Sequence, residues 1–301
     1  MKGRVVQLAG LRIMVDVEGE EWQCEVRGRF KAGPRATTSP VATGDWVEVG
    51  ATRPGSGVVE RVYPRRSKVS RLASGSRPYE QVMAANLDQL VVVVAACQPA
   101  LRTGFIDRAV VMALSGGVAP VVCVNKIDLD PEGLVRGVIG TYRQLGYRVL
   151  YTSAETGAGV DELREVLRER VSAFVGYSGV GKSSLLNRID ARLALRTQEL
   201  MERHDRGRHT TAAVRLYQLP GGGYAADTPG IKELQLCGVG RDALAGYFEE
   251  MVELLGACQF RNCTHLHEPG CAIQEAVDAG RITRLRYESY RRIMEGLGAV
   301  S

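Results

Sequence analysis

Gly176-Tyr177-Ser178-Gly179-Val180-Gly181-Lys182-Ser183 stands between an apolar run, Val171–Val175, and a helix-like stretch, Ser184–Ile189. The spacing is GxxxxGK[ST]. Glycines let successive backbone N–H groups turn inward and cradle phosphate oxygens. Lys182 reaches the terminal phosphates, and Ser183 is placed as a Mg²⁺ ligand. A helix starting near Lys182 adds its positive end, which extends the site to Ser184. A strand before the loop and a helix after it are the context such a loop requires. Residues 176–184 therefore read as a nucleotide-phosphate site, with Lys182 as the catalytic cation.

Reading outward, the chain alternates. Leu90–Ala96 is a continuous apolar run, as a strand buried on both faces should be. A helix over Ile106–Leu114 follows, then a strand at Val121–Val124 and a helix over Glu132–Leu145. A strand at Arg148–Tyr151 and a helix over Val160–Val171 lead into the phosphate loop. This pattern predicts a parallel sheet flanked by helices.

Four further motifs sit at the ends of these strands. Asn125-Lys126-Ile127-Asp128 matches NKxD. A carboxylate only accepts hydrogen bonds. Guanine offers two donors side by side and adenine does not, so Asp128 reads as a guanine selector. Asn125 braces that loop, and the Lys126 stem covers a ring face. Ser153-Ala154, after Thr152, matches the element whose backbone N–H reads guanine O6. In Asp227-Thr228-Pro229-Gly230, Asp227 is placed to hold Mg²⁺ through water, and the Gly230 N–H to meet a γ-phosphate. Gly207-Arg208-His209-Thr210-Thr211 reads as a switch in which Thr210 or Thr211 binds Mg²⁺ and γ-phosphate; Arg203 and Arg206 make its approach basic.

The order of these motifs is informative. Ras-type GTPases run phosphate loop, switch threonine, DxxG, NKxD, SA. Here NKxD and SA come first. All five elements are present with two moved to the front, which is a circular permutation of the G domain.

Two flanking segments differ in character. Residues 1–68 carry β-rich stretches at Arg4–Leu8, Arg12–Val17, Glu21–Val26 and Asp45–Val49, separated by glycines and a Lys31–Pro40 loop. That spacing predicts a small barrel of the OB-fold type, and Pro64–Lys68 reads as a linker. Residues 69–235 hold the permuted P-loop domain. Residues 236–301 are mainly helical, with an amphipathic tail over Ile273–Leu297. Within them Cys258, Cys263 and Cys271, with His265 or His267, supply the soft donor set of a closed structural Zn²⁺ site. Cys24, Cys97, Cys123 and Cys237 stand alone and read as core thiols.

Composition narrows the rest. The chain has 301 residues, 45% hydrophobic and 24% charged, which excludes a disordered chain. The longest apolar run, Leu90–Cys97, is far too short to cross a bilayer. No signal-peptide pattern opens the sequence, so a cytosolic address is expected. The formal net charge is +5, which suits a polyanionic partner without requiring one.

On these motifs the chain resembles the small ribosomal subunit biogenesis GTPase (RsgA) family. Gly44-Asp45-Trp46-Val47, Asn86-Leu87-Asp88-Gln89, Ile106-Asp107-Arg108, Gly207–Thr211 and the Cys258/Cys263/His265/Cys271 set carry the likeness. The resemblance implies an OB-fold that binds RNA, a permuted G domain and a C-terminal zinc domain, and it favours His265 over His267 as fourth ligand. It also implies GTP hydrolysis to GDP and phosphate, stimulated by the small ribosomal subunit, with a role in that subunit's late maturation. Expected partners are GTP/GDP with Mg²⁺, the small subunit and its rRNA, with no membrane and a monomeric chain. A competing reading is an RNA- or protein-binding module that keeps GTP as a structural ligand. After DxxG, Ras-type enzymes carry a water-orienting Gln, whereas this chain has Ile231. His209 is a candidate replacement; its alternative role is packing against nucleotide or RNA.

Overall fold

The computed structural model describes residues 1–9, 12–26, 39–72, 79–193, 214–227 and 234–298. Five strands form the amino-terminal barrel: β1 (Lys2–Ala9), β2 (Arg12–Val17), β3 (Glu20–Val26), β4 (Trp46–Arg53) and β5 (Ser56–Val62). They run β1-β2-β3-β5-β4, and β4 pairs back onto β1 to close the barrel. Alternating side chains such as Ile13, Val15, Val47, Val49 and Val59 fill it. β1 pairs with β2, β4 and, beyond a bulge between Val5 and Gln7, a strand of the next domain. Val5 accordingly faces the barrel core, while Val6 is buried in the core of the next domain.

The segment read as a linker is pinned. Arg65 forms a two-pronged ion pair with Asp45, and the Ser67 hydroxyl donates to Leu87 O at 2.6 Å. It leads into a hairpin that the sequence reading did not anticipate, β6 (Lys68–Leu72) and β7 (Glu80–Ala85).

The central sheet holds β8 (Gln89–Ala95), β9 (Ala119–Asn125), β10 (Arg148–Tyr151), β11 (Val171–Val175), β12 (Arg215–Gln218) and β13 (Tyr224–Asp227). The spatial order is β10-β9-β8-β11-β13-β12, and all neighbours are parallel except β12 with β13. Every residue of β8 and β11 is buried, which explains their apolar character; the two polar residues, Gln89 and Ser172, satisfy each other through a 2.9 Å hydrogen bond. Counted from the phosphate loop at the end of β11, the order becomes 6-5-4-1-3-2. That is a coherent G-domain sheet once the chain is re-read from β11, so the permutation changes connectivity and leaves pairing intact.

Helices α1 (Thr103–Ser115), α2 (Val135–Gln144), α3 (Val160–Leu167) and α4 (Lys182–Ile189) cover the sheet. α2 starts later than expected because both carboxylate oxygens of Asp130 accept the Leu134 and Val135 N–H groups at 3.0 Å. α3 ends before Val171, where Glu169 takes a left-handed φ of 56° and turns the chain into β11.

The carboxyl-terminal region holds α5 (Glu249–Val252), α6 (Ala272–Asp278) and α7 (Arg284–Gly298). The tail expected as one amphipathic stretch is two helices, separated by a turn with Gly280 at φ 73°. Leu234, Leu236, Phe248, Tyr290 and Ile293 share one buried cluster with α1. Of the four isolated cysteines, Cys24 and Cys123 are core residues as expected. Cys97 and Cys237 are only half-buried, because each lies on a connection outside the sheet.

Candidate nucleotide and metal sites

The phosphate loop leaves β11 and enters α4 through Gly181. Its glycines are each required. A Cβ on Gly176 would lie 2.4 Å from Val93 O, and one on Gly181 would lie 2.3 Å from Asn125 Nδ2. Gly179 and Gly181 take φ of 83° and 93°, which side chains disfavour. Lys182 is buried, and its ammonium donates to Gly176 O at 2.8 Å and Tyr177 O at 3.3 Å. The loop's own carbonyls thus help hold that charge against the loop. Val180 is buried, whereas Ser178, Gly179, Ser183 and Ser184 face solvent. Tyr177 extends sideways: its ring lies 4.5 Å from Phe105, and the Arg102 guanidinium lies 5.4 Å from it.

Asn125 joins three motifs. Its Nδ2 donates to Val180 O of the phosphate loop at 2.9 Å. Its Oδ1 accepts the Ala154 N–H at 3.1 Å and the Thr152 hydroxyl at 3.3 Å. The side chain is 1% exposed, so these bonds are shielded from water. The Ala154 N–H is therefore engaged by Asn125 in this structure. Ser153 is fully buried, and its hydroxyl accepts the Thr156 N–H at 3.1 Å. Lys126 takes a left-handed φ of 62° and its ammonium donates to Gln98 O, which lays its stem along the loop. Ile127 and Asp128 follow in a single helical turn, with the Ile127 N–H bonded to Thr152 O at 3.2 Å and Asp128 exposed.

Asp227 ends β13 in register with Phe174 of β11, two residues before Gly176. The start of DxxG therefore reaches the same sheet edge as the phosphate loop. His209, Thr210, Thr211 and Gly230 lie outside the described residues. So phosphate loop, NKxD and SA elements converge beyond the carboxyl ends of β8–β11, where ligands of open α/β sheets bind.

The cysteine cluster is compact. The ligand atoms of Cys258, Cys263, His265 and Cys271 all lie within 4.8 Å of one another. Bond lengths of about 2.3 Å to sulfur and 2.05 Å to nitrogen give tetrahedral edges of about 3.8 Å and 3.6 Å. The structure has Cys258 Sγ to Cys271 Sγ at 3.9 Å, and His265 Nδ1 to those sulfurs at 3.5 and 3.4 Å. The donor set thus fits a tetrahedral metal ion. His267, the rival ligand, is exposed, and its backbone N–H bonds to Glu268. Burial pushes the Cys263 thiol up to about 12 and the His265 imidazole down, so thiolate ligation depends on the cation's own charge.

Other residues singled out by motif prove to be joints. The Asn86 amide donates to Gly44 O at 3.1 Å and accepts the Arg66 N–H, tying barrel to G domain. Asp107 of α1 is fully buried against Arg286 of α7, and Arg108 donates to Leu234 O at 3.3 Å. The sequence marked these positions, but their partners are distant in the chain.

Residues 62–237 match the sequence profile of the family described as RsgA GTPase. A protein of Chlorobaculum parvum named small ribosomal subunit biogenesis GTPase RsgA is 44% identical over 265 residues, covering 85% of each chain. The chain belongs to the RsgA GTPase family. A relative of the same name from Moorella thermoacetica is 41% identical over 290 residues, covering 96% of this chain and 95% of its own. Among solved structures, YjeQ from Thermotoga maritima superposes with a TM-score of 0.78 at 34% identity, over 98% of both chains. YloQ, described as a circularly permuted GTPase, gives 0.73 at 28% identity, over 100% of this chain and 96% of its own. As an RsgA-family member the chain is a GTP hydrolase with an OB-like barrel, a permuted G domain and a carboxyl-terminal Cys/His cluster. GTP is used with Mg²⁺ in such enzymes.

Proposed function

We propose that this protein hydrolyses GTP in response to the small ribosomal subunit and acts in that subunit's late maturation in the cytosol, as a monomer. The observation that carries this reading is the Asn125 brace. It links phosphate loop, guanine-selecting loop and SA loop into one buried hydrogen-bond system, alongside relatives named for subunit biogenesis.

Guanine is selected by Asp128, with Lys126 and Ile127 shaping the loop and Ser153-Ala154 lying against it. Gly176–Ser184 hold the phosphates. Mg²⁺ would be held by Ser183 and, through water, Asp227, and it supplies charge neutralisation on the phosphate oxygens. Thr210 or Thr211 and Gly230 would complete the γ-phosphate contacts. Lys182, held by its own loop carbonyls, places a cation where negative charge develops. Ile231 cannot orient water, so intrinsic turnover is slow; His209 is the group assigned to that task, with the subunit promoting it. Cys258, Cys263, His265 and Cys271 hold one Zn²⁺, which serves structure because four protein ligands leave no open position. The barrel over residues 1–68 supplies the rRNA contact, residues 69–235 the switch, and residues 236–301 the zinc module.

The test is turnover of GTP against concentration of small subunits. A rate that rises and saturates supports the proposal. A flat, near-zero rate with tight GTP binding would instead favour a module that keeps GTP as a structural ligand.

A further inference from the structure

β12 and β13 lie in the chain between the two γ-phosphate-sensing motifs. β12 begins a few residues after Thr211, and β13 ends in Asp227. Both strands are bonded to the barrel. β12 forms a bridge with β1 at Arg215 and Gln7, so barrel and G domain share one sheet. Arg215 Nη1 donates to Gln7 Oε1 at 2.8 Å, and its Nη2 donates to both Glu21 carboxylate oxygens at 2.7 and 2.9 Å. The Thr43 hydroxyl, just before β4, donates to Val214 O at 3.0 Å. On β13, the Tyr224 hydroxyl donates to Asp16 of β2 at 2.7 Å, and the Arg4 guanidinium lies 5.1 Å from the Tyr224 ring.

These contacts come from β1, β2, β3 and the approach to β4, so they report the barrel as a body. They are also directional. A hydroxyl bonded to one carbonyl and a guanidinium gripping a carboxylate from two sides fix strand position more than they add stability; the Arg215–Glu21 pair is partly exposed, at 17% and 42%, and such pairs contribute little free energy. β12, a strand of four residues, lies between β13 and β1 in the shared sheet: β13 pairs along its whole length and sets its register, while the barrel holds its leading end at Val214 and Arg215.

We infer that Thr43 and Glu21 are positioning residues for subunit-stimulated GTP hydrolysis: through Val214 and Arg215 the barrel holds the end of the strand to which the switch threonines are attached. A load on the barrel that shifts this strand end then alters the stimulated hydrolysis rate; separately, nucleotide binding and barrel loading change each other's affinity by the same factor, because coupling between two binding sites is reciprocal. This inference rests on the proposed reading of the switch motif and of subunit-stimulated turnover.

The experiment uses the full chain and a Thr43→Val/Glu21→Ala variant, neither residue being part of the nucleotide site. The first measurement is amide hydrogen exchange with GDP and with a non-hydrolysable GTP analogue plus Mg²⁺. The wild type should show a nucleotide-dependent difference in β1 and residues 43–45, and the variant should lose it. The second is turnover with and without small subunits. The variant should keep its intrinsic rate and GDP affinity but lose about fivefold or more of its stimulated rate. Pairing Glu21→Arg with Arg215→Glu on an otherwise wild-type chain should restore stimulation relative to either single change. Absence of nucleotide-dependent exchange in wild-type β1, or a variant that retains both the exchange difference and full stimulation, overturns the inference. Exchange coupling without any subunit stimulation of the wild type would uphold it while refuting the proposed ribosomal function.

Discussion

Removing the Arg286 guanidinium should detach the carboxyl-terminal region from the G domain. Arg286 is 2% exposed and Asp107 is 0% exposed. Its Nη1 donates to Asp107 of α1, and its Nε and Nη2 donate to the two oxygens of Glu250 at 2.7 and 3.1 Å. Phe248 and Tyr142 rings flank it at 4.7 and 5.4 Å, and the Tyr142 hydroxyl donates to Asp107 at 2.6 Å. Burial alone would lower the Arg286 pKa, but the Glu250 hydrogen bond and the charges of Asp107 and Glu250 outweigh it and push the pKa up. Arg286→Ala leaves two carboxylates buried together without their cation. Breaking a buried pair from one side costs about 3–5 kcal/mol, a large share of the stability of any domain. Guanidinium unfolding followed by circular dichroism at a helix band reads this, because α1 and α7 share one core. The pH dependence has a definite sign. Burial pushes Asp107 up even with Arg286 opposing it. Without Arg286 the folded-state pKa rises further above the unfolded value of about 3.9. A carboxyl with a raised folded pKa stabilises the fold while protonated, and that contribution is lost as pH rises through the folded pKa. The deficit of Arg286→Ala should therefore be largest near neutrality and shrink on acidification. A triple change, Asp107→Leu with Glu250→Gln and Arg286→Met, should recover most of the loss, since an apolar replacement avoids the buried charges. A deficit under about 1 kcal/mol at neutral pH, or one that grows as pH falls, would refute the reasoning.

Three other outcomes are expected. Asp128→Asn should shift preference from GTP towards xanthosine triphosphate, because one of its two acceptors becomes a donor; competition binding with the two nucleotides checks it. Lys182→Ala should lose stimulated turnover by about 100-fold or more while leaving the protein folded, as α4 is anchored in the core by Leu185, Leu186 and Ile189; turnover and thermal unfolding check both. Wild-type protein should carry about one zinc per chain, and Cys258→Ser with Cys271→Ser should lose it together with ordered structure around α6, since binding free energy in such sites is folding free energy; elemental analysis and hydrogen exchange report both.

How much was legible in the sequence depended on how local the chemistry is. The phosphate loop, NKxD and the cysteine cluster each bring their groups together within about a dozen residues, so spacing alone exposed them. Strand β5 was missed because Pro54, Gly55 and Gly57 made its start look like turn, and its parallel pairing with β3 is a long-range event. The β6–β7 hairpin was hidden for a similar reason: Lys68 opens a strand but follows a polar stretch fixed by partners some 20 residues away. Asp107 and Arg286 are separated by 179 positions, and no spacing rule connects them. Cys97 and Cys237 looked like core thiols because burial is a property of the fold and not of their apolar neighbours.

The permuted order matters for what hangs on the switch. Sheet pairing is indifferent to it, since β8 still lies beside β11 and β11 beside β13. What changes is the exit from DxxG. In the usual order that chain returns to the strand here called β8; in this protein it continues into the carboxyl-terminal region. The exit is caught at once: Arg108 holds Leu234 O, and Leu234, Leu236 and Val239 are buried in the cluster that contains α1 and α7. Only six residues, 228–233, separate Asp227 at the end of β13 from Leu234. Six residues span about 20 Å when fully extended, so the tether is short. The γ-phosphate contact proposed for Gly230 would therefore be made between two packed bodies, β13 on one side and the α1–α7 core on the other. α1 stands on both sides of this arrangement, because Phe105 meets Tyr177 of the phosphate loop while Asp107 and Arg108, on the same helix, hold α7 and the exit. Nucleotide chemistry and the attachment of the carboxyl-terminal region thus meet on one helix, and packed elements of this kind shift between discrete arrangements instead of deforming gradually.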